Sequence, residues 1–405
     1  MNNNIVIAHS LYTPHIIGGA EISTQILAEC MSRKYSVKVI TVGNHNEKNV
    51  KIKTVNDVDV LQLHHANIYW FGEAQHKKNS FAKILWRVND AYNFKQYKIL
   101  KKILADIRPR ILHTQNLPGL SLSIWKAADE LNIPIIHTLR DFSLIEPVPV
   151  KMYSNMYQTF AKRLSRSVAA VIGITKNVLT QHTDRGYFPN AKQFVIPNAV
   201  ESNSNGYDFY RRKVISHNKP LRIGYFGQLS NVKGVNYLIE AVLNLPPQVI
   251  DKMLICGDGP EGPFLKDLAG NDQRIQFTGR LERDKASRIM SEVDLTVVPS
   301  IWDEPFGRVI IESYQVGTNV LASNVGGIPE VIIDRGKYLF KPKDSKAIMD
   351  SIISYFNLSY KDKLQLKINC YEHSKKFNVD SLFLEHEKIY DGILKNVKKY
   401  EYLQH

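Results

Sequence analysis

Only three cysteines occur in the 405 residues, Cys30, Cys256 and Cys370, far apart and without a C-x-x-C spacing. That excludes a disulfide framework or a structural zinc site and leaves three reduced, buried thiols as the expectation. No apolar run approaches the roughly 18 residues that a membrane-spanning helix needs. The opening Met-Asn-Asn-Asn carries no basic residue, and the apolar run at 5–8 is far shorter than a signal sequence requires. A cytoplasmic protein is expected. No nucleic-acid-binding motif is present, so nucleic acid is not an expected partner.

What is there is a globular composition, 44% hydrophobic and 23% charged, on a chain too long for one ordinary core, so two domains are expected. The net charge of +14 is unevenly placed. Residues 1–200 hold 25 Lys and Arg against 13 Asp and Glu, residues 201–405 hold 28 against 26, and an anionic partner for the first half follows. Much of the excess lies in 77–110, where Lys77, Lys78, Lys83, Arg87, Lys95, Lys98, Lys101, Lys102, Arg108 and Arg110 alternate with Phe81, Trp86, Tyr92, Phe94 and Tyr97. Two readings fit equally: a basic-aromatic helix at an anionic membrane surface, or a solvated helix face with its aromatics packed inward.

Short apolar strands alternate with helical stretches through the first third, with strands at 5–8, 37–42, 111–113 and 135–139 and helices at 20–31 and 120–131. That rhythm predicts a parallel sheet covered by helices. It stops in the polar stretch 201–219, whose Glu-Ser-Asn-Ser-Asn-Gly at 201–206 reads as a linker, and restarts with strands at 222–226, 253–256, 275–278, 295–298 and 320–322. From Lys346 the pattern is helical. The expected domains are 1–205, 206–380 and a terminal helix at 381–405 packing back on the first.

Open α/β sheets bind ligands at the carboxyl ends of their strands, and five such positions are chemically loaded. The first strand leads to Gly18-Gly19-Ala20-Glu21 before a helix, where bare backbone can approach phosphate. The strand at 222–226 leads to the loop Gly227–Gly234, in which Lys233 precedes a helix whose positive end should repel it, so an anion is expected between them. The strand at 253–256 leads to Gly257-Asp258-Gly259-Pro260-Glu261-Gly262, a literal G-x-G-x-x-G. It follows the second strand of its domain rather than the first, and prolines 260 and 263 constrain the turn, so a nicotinamide dehydrogenase is set aside. The strand at 295–298 leads to Glu304-Pro305-Phe306-Gly307-Arg308 and a helix carrying Glu312. The N–H groups opening that helix can face a diphosphate while the two carboxylates take sugar and ribose hydroxyls. The strand at 320–322 leads to Gly326-Gly327-Ile328-Pro329-Glu330, which closes the same site.

Together with Ile196-Pro197-Asn198 and Pro299-Ser300, these landmarks make the chain resemble, over nearly its whole length, the GT4-type retaining glycosyltransferases. The resemblance implies the GT-B fold, two Rossmann-like α/β domains facing a cleft, with a helical C-terminal tail. It implies transfer of a hexose-type sugar from a nucleoside-diphosphate sugar to a glycan or lipid-linked acceptor, with retention, without cofactor or metal. Lys233, Glu304 and Arg140 are the expected catalytic residues; Gly18, Gly19, Gln228, Gly257, Arg280, Phe306, Gly307, Arg308 and Glu312 the expected donor site; His113, Asn116 and Asp141 the expected acceptor contacts. Two positions depart from the family. Gln228 stands where an arginine is common, and Arg140 where many relatives have a histidine. Arg140 is expected to supply part of the charge missing at 228, since strand alternation sends His137 to the other face. His113 fits acceptor contact and a satisfied core position equally. Asp57-Val58-Asp59 has a metal-binding D-x-D spacing but is expected only to flank a strand. Two other functions remain on the same fold: a sugar-nucleotide epimerase, and a donor-binding scaffold in which Gln228 and Arg140 mark a decayed site.

Overall fold

The computed structural model describes residues 3–45, 50–72, 79–146, 151–201, 206–215 and 217–401. The chain forms two compact units, one running to Ala199 and resumed at Val379, the other spanning Val200–Asn378. Lys77 and Lys78 of the basic stretch lie outside the described residues, as do 202–205 and 216 of the polar stretch.

The first unit is built on strands β1 Asn4–Ala8, β2 Ser36–Gly43, β3 Lys51–Val55, β4 Val58–His64, β5 Ile111–Thr114, β6 Ile135–Leu139, β7 Val168–Gly173 and β8 Lys192–Val195. Their order is β3-β4-β2-β1-β5-β6-β7-β8, parallel apart from the β3–β4 hairpin. The central strands are buried almost throughout, whereas β3 alternates and β8 is mostly exposed. Edge strands need one apolar face at most, which is why β3 and β8 carry no apolar run. Asp57 sits at positive φ in the hairpin turn, and Asp59 pairs with Lys38 at 2.7 Å. The D-x-D spacing thus builds a turn.

The second unit carries β9 Leu221–Phe226, β10 Ile250–Cys256, β11 Ile275–Gly279, β12 Leu295–Val298, β13 Asn319–Ser323 and β14 Leu339–Phe340. The sheet is parallel, ordered β11-β10-β9-β12-β13-β14. Strand order reverses between β1 and β5 in the first unit and between β9 and β12 in the second. At such a switch the flanking loops diverge and leave a crevice beyond the strand ends.

The helix Gly206–Arg212 begins where the expected linker ends; it packs Phe209 against the cluster of Phe226, Met290, Val293 and Val316 and stacks Tyr210 on Tyr371 at 4.1 Å between centroids. One expectation needs correction: 77–110 is not one helix. It is broken into Ser80–Ala91 and Phe94–Ile107, the second capped by Asn93, whose side chain accepts from Gln96 N–H. All three cysteines are buried and free, and burial pushes their thiols up, which makes them poor nucleophiles.

The long helix Val379–Glu401 packs on the helix Gly19–Met31, its Leu382, Ile389, Tyr390 and Leu394 joining the core of Ile5, Leu27, Met31 and Val39. Each such apolar side chain contributes roughly 1.5–3 kcal/mol. The Arg33–Asp380 and Lys34–Asp391 pairs at its edge are solvent-exposed and contribute little. Tyr390 is the linchpin: its ring lies edge-on to Tyr35 at 5.6 Å and its hydroxyl is 2.7 Å from His113 Nδ1. Tyr390→Ala is expected to cost the first unit about 3–5 kcal/mol in urea unfolding, and Tyr390→Phe, which strips His113 of one partner, about 1–3 kcal/mol.

Candidate active site

In the second unit the site forms where the loops after β9 and β12 diverge. The loop after β9 ends in a short 3-10 turn, Asn231–Lys233, and Gly234 at φ 62° turns it into the helix Val235–Leu243. A Cβ on Gly234 would lie 2.2 Å from the Pro299 carbonyl oxygen, so glycine is required for the β12 loop to reach this turn, where Ile301 N–H bonds the Val232 carbonyl. That approach brings Lys233 Nζ to 2.6 Å from Glu304 Oε2, and the Ser300 hydroxyl also donates to this oxygen at 3.2 Å. The anion expected beside Lys233 is therefore present within the chain as the Glu304 carboxylate.

Glu304 is fixed from a third side by the loop after β13. Gly327 N–H donates to the Glu304 carbonyl at 2.8 Å. A Cβ on Gly326, at φ 53°, would sit 2.5 Å from that same oxygen. The chain then passes through Gly307, at φ 86°, into the helix Arg308–Gln315. One turn on, the Arg308 guanidinium, drawn down by burial, reaches Glu312 at 3.5 Å. Gln228 is exposed after β9 and Arg280 after β11.

Two expected donor contacts take other roles. Phe306 is 3% exposed and turns inward against Phe377, 5.8 Å between centroids, so it anchors the loop from behind. Gly257 and Gly259 are consumed by loop packing: their Cβ atoms would strike the Gly227 and Leu229 carbonyl oxygens at 1.8 and 2.3 Å. The literal G-x-G-x-x-G is a contact between two loops of one sheet.

The first unit holds a second cluster beyond β1, β5 and β6. Gly18 has an extended backbone, φ −154°, and a Cβ there would meet only the Glu21 carboxylate at 3.9 Å. A side chain there would meet no close contact among the described residues. Arg140 is 6% exposed; its Nε donates to Gln115 Oε1 and its Nη1 to Asn198 Oδ1. Gln115 Oε1 also accepts from Thr24. Asn116, Arg140 and Asp141 line one crevice together with Arg87, Asp90 and Tyr157.

His113 is not in that crevice. It is fully buried, with Tyr390 on Nδ1 and Thr138 on Nε2, so the acceptor contact expected of it is replaced by a core position. His137 stacks on Phe188 and bonds Thr114. Sequence reasoning missed His9, Gln115 and Asp90. The Nε2 atoms of His9 and Gln115 are buried without a hydrogen-bond partner among the described residues, at the switch point between β1 and β5. Burial pushes the Asp90 carboxyl up to about 7, opposed by the Gly119 N–H that donates to it. A lone His after the first strand was the available signal for His9; Asp90 was masked by the basic residues around it.

Residues 17–204 match the model of a family described as Glycosyltransferase Family 4, and residues 207–373 match that of Glycosyl transferases group 1. The chain is 33% identical to a Klebsiella pneumoniae protein described as an uncharacterized 42.6 kDa protein in cps region, over 96% of this chain and all of the relative. Among solved structures it is similar to the sucrose-phosphate synthase of Thermosynechococcus elongatus, with a TM-score of 0.73, 18% identity and coverage of 98% and 100%. It is likewise similar to Anabaena HepE in complex with UDP and glucose, with a TM-score of 0.69, 19% identity and coverage of 96% and 100%. These structures share the GT-B fold.

The histidines of the first unit predict its acid behaviour. Burial holds His9 and His137 down to about 3 and His386 to about 4, with the Arg140 charge adding to the effect on His9 and His386. Unfolded, each titrates near 6.5, so below that pH the unfolded chain binds protons that the folded chain refuses. Their contribution is complete above about 6.5 and is lost as pH falls toward 4 and then 3, at up to roughly 1.4 kcal/mol per pH unit each. Urea midpoints should be level above neutrality and fall below it, less steeply in His386→Gln.

Proposed function

The chain belongs to the group 1 glycosyltransferases, and on that premise we propose that it moves a hexose-type sugar from a nucleoside-diphosphate sugar to a glycan or lipid-linked acceptor in cell-surface polysaccharide synthesis. The cps-region relative supports the setting. HepE, solved with UDP and glucose, makes UDP-glucose the first donor to test. The observation that carries the reading is the convergence of Lys233, Glu304 and the helix opening at Gly307 on the β9/β12 switch point.

Departure of a nucleoside diphosphate leaves negative charge on phosphate and positive charge on the anomeric carbon. A preorganised ammonium and the free N–H groups of a helix start stabilise the first. In this reading the diphosphate takes over Lys233 from Glu304, and the released carboxylate accepts hydrogen bonds from the donor sugar's hydroxyls. Glu312, steadied by Arg308, receives the ribose. Same-face attack guided by the leaving phosphate gives retention, without a metal. Arg140, Asn116 and Asp141 serve the acceptor, whose hydroxyl must reach the anomeric carbon with water excluded.

The reading places the protein on the cytoplasmic side, peripheral to an anionic membrane surface through residues 77–110. No helix among the described residues is long and apolar enough to cross a bilayer.

Donor consumption with and without acceptor tests the proposal. Lys233→Ala is expected to lower kcat/KM about 10²–10³-fold and to weaken UDP binding. Gly326→Ala, which displaces Glu304, should lower kcat on the order of a hundredfold with UDP binding largely kept. Arg140→Lys should bind donor and fail in transfer. Activity that survives Lys233→Ala, or an epimerised donor formed without acceptor, would overturn it; full activity in EDTA is expected.

A further inference from the structure

The broken basic stretch leaves apolar side chains in solvent that the fold does not use. On the helix Ser80–Ala91, Phe81, Leu85 and Val88 fall within an arc of about 60° and are all exposed, Phe81 to 74%. Trp86 and Asp90 occupy the opposite face and are buried. Tyr92 and Phe94 continue the exposed line across the elbow into the helix Phe94–Ile107. There Lys98 lies 4.5 Å from the Phe94 ring centroid and Lys101 5.7 Å from that of Tyr97, Lys101 also pairing with Glu130 at 2.6 Å.

Tyr92 joins this line to a second one. Its ring meets Phe160 edge-on at 5.7 Å. Phe160 belongs to the helix Lys151–Leu164, on which Met156, Phe160 and Arg163 share a face, with Met156 68% exposed. Between this helix and the helix Ser123–Glu130 opens a groove of about 460 Å³, and Tyr92, Lys126, Phe160, Arg163 and Arg166 are among its lining residues. Both guanidiniums are exposed and neither is in an ion pair among the described residues. Lys126 shares its charge with Glu130 at 3.1 Å. Asp129 also lines the groove.

We propose that the helices Ser80–Ala91 and Lys151–Leu164 form a docking face for an anionic phospholipid bilayer, with Phe81, Leu85, Val88 and Met156 entering the acyl boundary and the Arg163–Arg166 groove receiving a lipid phosphate. The proposal rests on the peripheral-membrane reading and adds to it a second helix and a head-group site outside 77–110. Charge and apolarity argue together for a bilayer. Exposed Leu, Val and Met gain nothing from a polyanion such as nucleic acid, whereas a lipid surface offers hydrocarbon and phosphate within one residue's length of each other.

Vesicle flotation tests this, with the full chain, phosphatidylcholine vesicles, and phosphatidylcholine vesicles containing phosphatidylglycerol. The wild type should float with the anionic vesicles only and be released by salt. Arg163→Glu with Arg166→Glu should weaken binding by at least about twentyfold, at roughly fivefold per cation lost. Phe81→Ser with Leu85→Ser should weaken it about tenfold or more. Both exposed double variants should keep the wild-type melting temperature and UDP binding, so a loss of flotation reports docking rather than folding. No flotation of the wild type, equal binding to both vesicle types, or binding indifferent to the arginine reversal would overturn the proposal. Flotation without sugar transfer would sink the enzymatic reading alone; transfer without flotation would sink this one alone.

Discussion

The Glu304 carboxylate lies against the Lys233 ammonium because three loop backbones pack around it at distances that only glycine permits. Gly234 admits the β12 loop to the Lys233 turn, Gly326 admits the β13 loop to the Glu304 backbone, and Gly307 turns the chain into the helix that carries Arg308 and Glu312. The switch in strand order between β9 and β12 supplies the room. A carboxylate and an ammonium so placed hold one another. Because the site is made of backbone already packed in place, a ligand would meet charge that needs little reorganisation.

The first unit solves a different problem, that of keeping a guanidinium inside. Arg140 is held by the amide oxygens of Gln115 and Asn198, among histidines that burial keeps neutral. Its position is set by residues just past the ends of β5 and β8. Residues far apart in sequence thus determine one charge, and the acid sensitivity of the unit follows from the same burial.

Most of the architecture was legible because parallel strands buried on both faces appear as apolar runs, and every strand expected from such a run is present. The edge strands β3 and β8, solvated on one side or more, carry no such run. The helix Gly206–Arg212, docked by Phe209 and by Tyr210 stacked on Tyr371, carries no apolar run and was not foreseen. The glycine-rich landmarks located the site loops, since a loop that must approach another backbone needs glycine whatever its surroundings.

What sequence by itself determined is the pair of α/β sheets, the loops at which chemistry is possible, and Lys233 with Glu304 as the groups to watch. Period and spacing are local properties, so one chain suffices to read them. Only the tertiary structure decided that Glu304 is the anion beside Lys233, that Phe306 and His113 face inward, that the G-x-G-x-x-G is consumed in packing, and that the basic stretch breaks at Tyr92 to expose one face. Each of these depends on which side of an element meets another element far away in the chain, and no local pattern carries that information.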